Sequence, residues 1–290
     1  MKKLFLLPIL ALAFVACNKN GNTPNEPGAM NFRIDSIDSY YSYAGSDGLK
    51  LNGRLTYRYD KNCNADYRET KFYWEEQNVF HIAHVDEWTY NSNHQMLTEK
   101  RGYNISREDT GLEVYWQNFI EYTYDSKNRL IKMSDTHDPY GPDKDIYEEN
   151  YIITETADGY TRKLEGQEYV ETYNKNNQLI SNVSDTWKSE YTYNANGLME
   201  TIKGYSKLVS ETTWTYETLA KYTYKDNMPL LEEWYNSKDV LTSKTEHVYD
   251  NGSLVRINEY SLQESGKLEL VGYQKIYGEK TSKPYYTPNM

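Results

Sequence analysis

A short phrase repeats along the chain and constrains the fold more than any other sequence feature. In its full form it has an aromatic residue, any residue, a tyrosine, a turn rich in Asp, Asn, Lys or Gly, and then Leu or Met. A strand places the first and third residues on one face, and Asn, Asp and Gly tolerate the positive φ angles of tight turns. Each copy therefore predicts a β-hairpin, with Gly197 and Gly252 at hairpin tips. Full and weaker copies lie at 41–49, 88–96, 122–130, 173–179, 191–198, 222–230 and 247–254.

The spacing of the copies predicts how the hairpins are joined. Equivalent tyrosines recur at unequal intervals, which indicates hairpins with variable outer loops rather than a rigid solenoid. Consecutive hairpins form antiparallel meanders, and about 14 to 18 strands in one open sheet would expose long edges. The chain has 31 tyrosines in 290 residues and no sustained apolar stripe of helical period. We therefore expect an all-β, water-soluble antiparallel meander of β-hairpin repeats, curling into a barrel or half-barrel, with very little helix.

The N-terminal segment predicts export. Residues 1–16 have a basic start, a short apolar run and a small residue at the end, which are the parts of a secretory signal peptide. Cys17 directly after Ala16 resembles the lipobox of bacterial lipoproteins, and this resemblance implies that Cys17 is acylated and becomes the mature N-terminus. Residues 17–30 carry almost no apolar side chains and are expected to form a flexible tether. A single β-hairpin-repeat domain is expected over 31–290.

The repeat itself resembles a known family. The phrases at 122–130 and 191–198 are similar to the YD repeat of Rhs-type and toxin-shell proteins. Over about residues 40–260 the arrangement resembles Bacteroidetes lipoproteins of unknown function that are described as porin-like in fold. The resemblance implies a cell-envelope protein, most simply at the outer membrane, with the periplasmic and surface leaflets both open. It supplies no catalytic residues.

The net charge and hydropathy exclude several classes. The formal charge is −11, whereas nucleic-acid binding depends on basic side chains, so no nucleic-acid partner is expected. The mean hydropathy is −0.89, too polar for a bundle of transmembrane helices. A transmembrane barrel needs a continuous outer apolar band, and charges interrupt the apolar face here, as at 211–217. A water-soluble barrel that contacts the lipid bilayer only through its acylated N-terminus is favoured.

Motifs for chemistry yield no site. The neighbouring acids at 75–76, 148–149 and 232–233 should point to opposite faces of strands, so no such pair forms a glycosidase dyad. His81 and His84 are expected to face opposite ways, which excludes a shared metal. Acids in the loop 134–146 are a weak candidate for Ca²⁺, and Cys63 lies in an acidic turn that disfavours a reactive thiolate. No catalytic residue, cofactor or metal ligand is therefore predicted.

The tryptophans are the one functional lead. Together with the tyrosines they exceed what a core of this size needs, and aromatic faces suit sugar rings or peptides. The alternative, which is favoured, is that the aromatics stabilise the sheet as cross-strand pairs. The leading function is a membrane-anchored, non-catalytic binding or scaffold lipoprotein of the cell envelope. The sequence does not identify its ligand, and a glycan or an envelope protein is the candidate partner. The rival is a glycan-acting hydrolase with acids from distant strands. The tryptophans are Trp74, Trp88, Trp116, Trp187, Trp214 and Trp234.

Overall fold

A computed structural model describes residues 29–42, 48–74, 78–107, 111–141 and 144–286. Within these ranges the chain forms eighteen β-strands and no helix. None of the described residues therefore belongs to a helix long and apolar enough to cross a membrane. The strands are β1 (Ala29–Tyr41), β2 (Lys50–Tyr59), β3 (Ala65–Trp74), β4 (Val79–Tyr90), β5 (Met96–Arg107), β6 (Gly111–Tyr124), β7 (Leu130–His137), β8 (Asp145–Thr156), β9 (Gly159–Leu164), β10 (Val170–Asn174), β11 (Leu179–Val183), β12 (Trp187–Tyr193), β13 (Met199–Ser206), β14 (Thr215–Lys225), β15 (Met228–Asn236), β16 (Leu241–Asp250), β17 (Ser253–Leu262) and β18 (Leu268–Tyr286).

The sheet closes into a barrel. Every strand pairs antiparallel with the next one in sequence, and β1 pairs with β18 from Ala29↔Tyr286 to Tyr41↔Gly272. The predicted antiparallel meander is confirmed, and of the two expected forms the structure is the full barrel. Closure satisfies the backbone groups that a half-barrel would leave unpaired at its two edges.

The two ends of the barrel differ. Even-numbered strands finish and odd-numbered strands begin at one end, which we call the repeat end because six of the seven predicted hairpin turns lie there. The first residue of β1, Ala29, and the last residue of β18, Tyr286, also lie at this end. The weaker copy at 41–49 connects β1 to β2 at the opposite end, and its residues 43–47 lie outside the described ranges.

The first polar residue of the turn holds four of the repeat turns, those of the copies at 88–96, 122–130, 173–179 and 191–198. The Oδ1 atom of Asn91 accepts hydrogen bonds from the backbone N–H groups of Asn93 (2.9 Å) and Gln95 (3.0 Å). Asp125 does the same with the second and fourth residues after it. Such local bonds fix a tight turn whose next positions adopt positive φ. Asp60, Asp125, Asn174 and Asn194 repeat the pattern, and Gly197 and Gly252 have the predicted positive φ angles of 77° and 80°.

The second tyrosine of a repeat ties its hairpin to the preceding strand. The Tyr124 hydroxyl donates to the carbonyl oxygen of Met96 at 2.9 Å, and the Tyr193 hydroxyl donates to that of Leu179 at 2.8 Å. A register shift lies directly before each of these tyrosines, which marks a β-bulge in the pairing with the following strand. The repeated tyrosine is therefore a structural hydrogen-bond donor as well as a packing group.

The main hydrophobic core fills the barrel near the repeat end. It joins β1 to its neighbours on both sides, so the seam between the first and last strands is part of this core. Its buried members come from β1, β2, β3, β4, β17 and β18. They are Phe32, Ile34, Ile37, Tyr57, Ala65, Trp88, Leu254, Ile257 and Ile276.

Candidate functional site: an aromatic rim above a charged band

The face of the sheet that carries Tyr57 and Trp88 is the inner face, because both side chains are buried in the core. Strand pairing sets charged residues beside Tyr57 in one lateral row, in which Tyr57 pairs with Arg68, Arg68 with Asp86, and Asp86 with Arg101. Cations and anions therefore alternate across three neighbouring strands, β3 to β5. We call Arg68, Asp86, Glu99 and Arg101 the charged band.

Hydrogen bonds fix the geometry of the charged band. Arg68 Nε donates to Asp86 Oδ2 at 2.9 Å, and Arg101 donates from two nitrogens to the two carboxylate oxygens of Glu99 at 2.8 and 2.9 Å. The Tyr122 hydroxyl adds a third donor to Glu99 at 3.1 Å. Two-point pairs of this kind hold planar groups in a fixed orientation.

The exposed fraction of the side chains in the charged band increases from the core toward solvent. The side chain of Asp86 is 7% exposed, that of Arg68 is 27% exposed and that of Arg101 is 54% exposed. Burial opposes the charge of Arg68, but Asp86 and Tyr57 hold its pKa above the usual value. Arg101 is thus a charged donor on the inner face that a ligand can reach.

Aromatic side chains lie on the same face toward the opposite end of the barrel. Phe72 and Trp74 follow Arg68 on β3 at even spacing, so alternation places all three on the inner face. His81 stacks on Trp74 with ring centroids 4.3 Å apart, and His84 meets Phe72 edge-on at 6.4 Å. Trp74 is 52% exposed and Phe72 is 46% exposed. We call the set Phe72, Trp74, His81, His84, Tyr103 and Tyr115 the aromatic rim.

The rim continues across two further strands. His84 pairs with Tyr103 on β5, and Tyr103 pairs with Tyr115 on β6, with the two tyrosine rings 5.2 Å apart. Flat apolar faces therefore stand next to the charged band on one surface. Such a combination of stacking faces with fixed polar groups is typical of sites that bind hydroxyl-rich rings.

The expectation that His81 and His84 face opposite ways is wrong. His81 pairs with Phe72 and His84 pairs with Thr70, and those partners are two residues apart on β3 and share a face. The register shifts between them because Ala83 is an extra residue in β4, and such a bulge reverses the alternation beyond it. Both histidines therefore lie on the aromatic rim. The described residues contain no group of three or more His, Cys, Asp or Glu side chains that could hold a metal ion.

The tryptophans divide into core and surface. Trp74 and Trp187 are exposed, whereas Trp88 is 4% exposed and belongs to the core. Trp116 and Trp214 are half-buried and lie against Lys100 and Lys207, and Trp234 donates its indole N–H to Glu232. Only some of the six tryptophans are therefore accessible to a ligand.

The structure places the remaining candidate residues in structural roles. Glu148 pairs with Lys132 while the adjacent Glu149 contacts Tyr151, so neighbouring acids do point to opposite faces. Asp135, one of the acids considered for Ca²⁺, is held by Asn118 at 2.9 Å. Cys63 has a positive φ of 66° in the β2–β3 turn. Positions 17, 75, 76 and 143 lie outside the described residues.

Register also brings together acids that are distant in sequence. Glu232 and Glu259 both pair with Thr245, one from each side, so they lie in one row on the inner face. Burial raises the pKa of both carboxyls, and Glu232 is only 2% exposed. Sequence reasoning did not find this pair, because the only signal for it is the strand register.

Comparisons with known proteins give structural neighbours only. No family model and none of the curated proteins matches the chain. Among solved structures it is similar to a porin-like protein from Bacteroides uniformis at 8% identity, covering 85% of this chain and 98% of that one, with a TM-score of 0.34. A porin-like protein from Bacteroides vulgatus gives 7% identity, the same coverage and a TM-score of 0.38.

A third neighbour is the Tc holotoxin pore of Photorhabdus luminescens, at 9% identity and a TM-score of 0.23. This similarity covers 84% of the present chain but only 18% of the toxin chain. At these scores the similarities carry no argument about function, which rests on the geometry of the chain itself.

Proposed function

We propose that the protein is a non-catalytic, lipid-anchored binding or scaffold protein of the cell envelope, and that its ligand is a glycan held at the aromatic rim. The observation that carries the proposal is the exposed Trp74–His81 stack on the inner face, the same face that carries the reachable guanidinium of Arg101 further along the barrel toward the repeat end. A sugar ring places its C–H groups on aromatic faces while its hydroxyls need fixed donors and acceptors. The rim supplies the faces and the charged band supplies the polar groups.

The proposed anchor fits the placement of the termini. The signal-like segment 1–16 and the lipobox-like Cys17 support export and acylation, in the manner of Bacteroidetes lipoproteins with YD-like repeats. Ala29 begins β1 at the repeat end, so a tether from Cys17 reaches the barrel there. The aromatic rim lies toward the other end, and we infer that it faces away from the membrane.

The rival function, a glycan hydrolase, has one specific observation in its favour. Glu232 and Glu259 have raised pKa values, as general acids require. However, Glu232 is 2% exposed and is closed in by Trp234, whose indole N–H donates to it at 2.5 Å. A substrate has no access to such a carboxyl, so this pair favours a structural role.

A glycan and peptidoglycan-fragment array tests the proposal. The chain from Asn18 onward keeps every described residue, so it serves as the soluble probe. Glycans that bind are then incubated with this protein and analysed by mass spectrometry for cleavage. Trp74→Ala should weaken binding to a hit about tenfold, because the stacking face is lost. Trp116→Ala, on the outer face against Lys100, is the matched control and should bind like the wild type. Cleavage of a bound glycan would support the hydrolase function. Absence of binding to every glycan on the array would refute a glycan ligand.

A further inference from the structure

The repeat end carries a cavity whose chemistry differs from that of the aromatic rim. Its volume is about 520 Å³, and it lies between the turns β6–β7, β8–β9 and β10–β11, far along the sheet from the aromatic rim. A cavity of this size accommodates a small polar ligand. Its lining residues are Ser126, Lys127, Asn128, Arg129, Glu155, Thr156, Gly159, Tyr160, Asn174, Lys175 and Asn177.

Cations dominate this lining in a chain whose overall charge is −11. Lys127, Arg129 and Lys175 face a single lining acid, Glu155. Lys127 Nζ and Arg129 Nη1 each lie 2.6 Å from the same Glu155 oxygen. Lys175 forms no ion pair with any described residue. The cavity therefore concentrates positive charge on a protein that elsewhere repels anions.

The side chains of the cavity differ in exposure and in the number of their contacts, in a way that suits an exchangeable anion. Arg129 is 11% exposed, fixed by Asp125 at 2.6 Å, and lies over the Tyr160 ring at 5.0 Å. Glu155 is 57% exposed and Lys127 is 62% exposed. Glu155 is thus an internal anion on the solvent side that can be displaced, while Arg129 stays in place.

We propose that this cavity binds the phosphate group of a membrane-lipid headgroup. An anion with several oxygens can replace Glu155 at Lys127 and Arg129 and recruit the unpaired Lys175, with hydroxyl and amide groups from Ser126 and Asn177 at hand. Phosphate presents more charge and more acceptor oxygens than one carboxylate, so it competes well for three cations.

The position of the cavity identifies the source of the phosphate, and this step rests on the proposed lipid anchor. The twelve steps of chain from Cys17 to Ala29 span at most about 40 Å, so acylation of Cys17 keeps the repeat end close to the bilayer. The cavity opens among the turns of that end and is therefore presented to headgroups.

Vesicle flotation of the unacylated chain from Asn18 onward tests the proposal without depending on acylation of Cys17. The vesicles consist of phosphatidylcholine with or without phosphatidic acid. Binding of glycerol 3-phosphate, which represents a free phosphate compound, is measured separately by calorimetry. We expect binding only to vesicles with phosphatidic acid. Because the protein is strongly acidic, general attraction to anionic vesicles does not explain such binding.

Three variants locate the binding. Lys175→Glu should weaken vesicle binding about tenfold, whereas Glu155→Gln should strengthen it about threefold, because the competing internal anion is removed. If Glu155 had only a structural role, Glu155→Gln would not strengthen vesicle binding. Lys61→Glu, in the β2–β3 turn at the same end but outside the cavity, is the matched control and should leave binding unchanged.

The remaining outcomes overturn the proposal. Binding of glycerol 3-phosphate with no preference for phosphatidic acid vesicles would assign the cavity to a free metabolite. Equal losses for Lys175→Glu and Lys61→Glu would mean a diffuse charge effect. Absence of binding to both probes would remove the site, while leaving acylation of Cys17 and glycan binding at the aromatic rim untouched.

Discussion

Acidification should destabilise the barrel through His247. This side chain is 3% exposed on β16, and burial lowers its pKa from 6.5 to about 4, although the backbone of Leu230 partly offsets the effect. In the unfolded chain the imidazole takes up a proton near pH 6.5, whereas in the folded protein it stays neutral down to about pH 4. The unfolded state therefore binds more protons in this window, and the free energy of unfolding falls as the pH falls.

The magnitude follows from the two pKa values. Between pH 8 and pH 5 the difference amounts to about 2 kcal/mol, since each unit of pKa shift is worth about 1.4 kcal/mol and the shift is only partly expressed at pH 5. Glu232 and Glu259 act in the opposite direction, because their raised pKa values make the folded state bind protons first. The contribution of His247 must therefore be isolated by comparing variants.

Urea unfolding followed by tryptophan fluorescence at pH 5, 6, 7 and 8 makes this comparison. His247→Leu keeps the volume and removes the titration, so it should lose about 2 kcal/mol less than the wild type between pH 8 and pH 5. His84→Gln, at an exposed histidine, is the control and should follow the wild type. If His247→Leu loses as much stability as the wild type on acidification, the reasoning about buried neutral imidazole is refuted.

Four further predictions test separate parts of the structure. Gly197→Val should lower the free energy of unfolding by more than about 1 kcal/mol, measured in urea, because a β-branched residue cannot adopt φ of 77° without strain. Trp88→Ala should cost about 3 to 5 kcal/mol in the same assay, and Trp187→Ala much less, because only Trp88 is in the core. Glu232→Gln should raise the free energy of unfolding at pH 8 but not at pH 4, because burial disfavours the ionised carboxylate of Glu232, as the raised pKa of this group shows. Equal effects at the two pH values would mean that the buried charge does not destabilise the protein. Cys17→Ala should abolish metabolic labelling with palmitate and release the protein from membranes, and retained label would exclude acylation there.

The hairpins could be predicted because their signals are local. In the copy at 122–130 the two tyrosines, the turn residue Asp125 and the following Leu130 are all close in sequence, and each acts within a few residues. The hydrogen bonds from Asp125 to the turn amides involve only neighbours, so residue type alone specifies the turn. The same holds for the positive φ of Gly252.

The choice between a half-barrel and a closed barrel, and the chemistry of the inner face, could not be predicted because both depend on register between distant segments. The pairing of β1 with β18 joins residues more than two hundred positions apart, and the sequence contains no local sign of it. The row Tyr57, Arg68, Asp86 and Arg101 likewise exists only once four strands are aligned. Each of these side chains alone is an ordinary strand residue.

The faces on which His81 and His84 lie also depend on register, here through a single residue. Strict alternation puts His81 and His84 on opposite faces, and the single extra residue Ala83 reverses that result. Whether a strand accommodates a bulge is decided by the partner strand, which the local sequence does not reveal. Trp74 is recognisable from the sequence as a candidate ligand contact, but the placement of His81 and His84 on the same face is not.

Cross-linking shows whether a glycan ligand binds at the aromatic rim. A photoreactive derivative of the best glycan from the array is cross-linked to the chain from Asn18 onward, and the modified peptides are mapped by mass spectrometry. We expect modification at residues of the aromatic rim on β3, β4, β5 and β6, and loss of that modification in Trp74→Ala. Modification confined to the outer face or to the repeat end, and unchanged in Trp74→Ala, would contradict it.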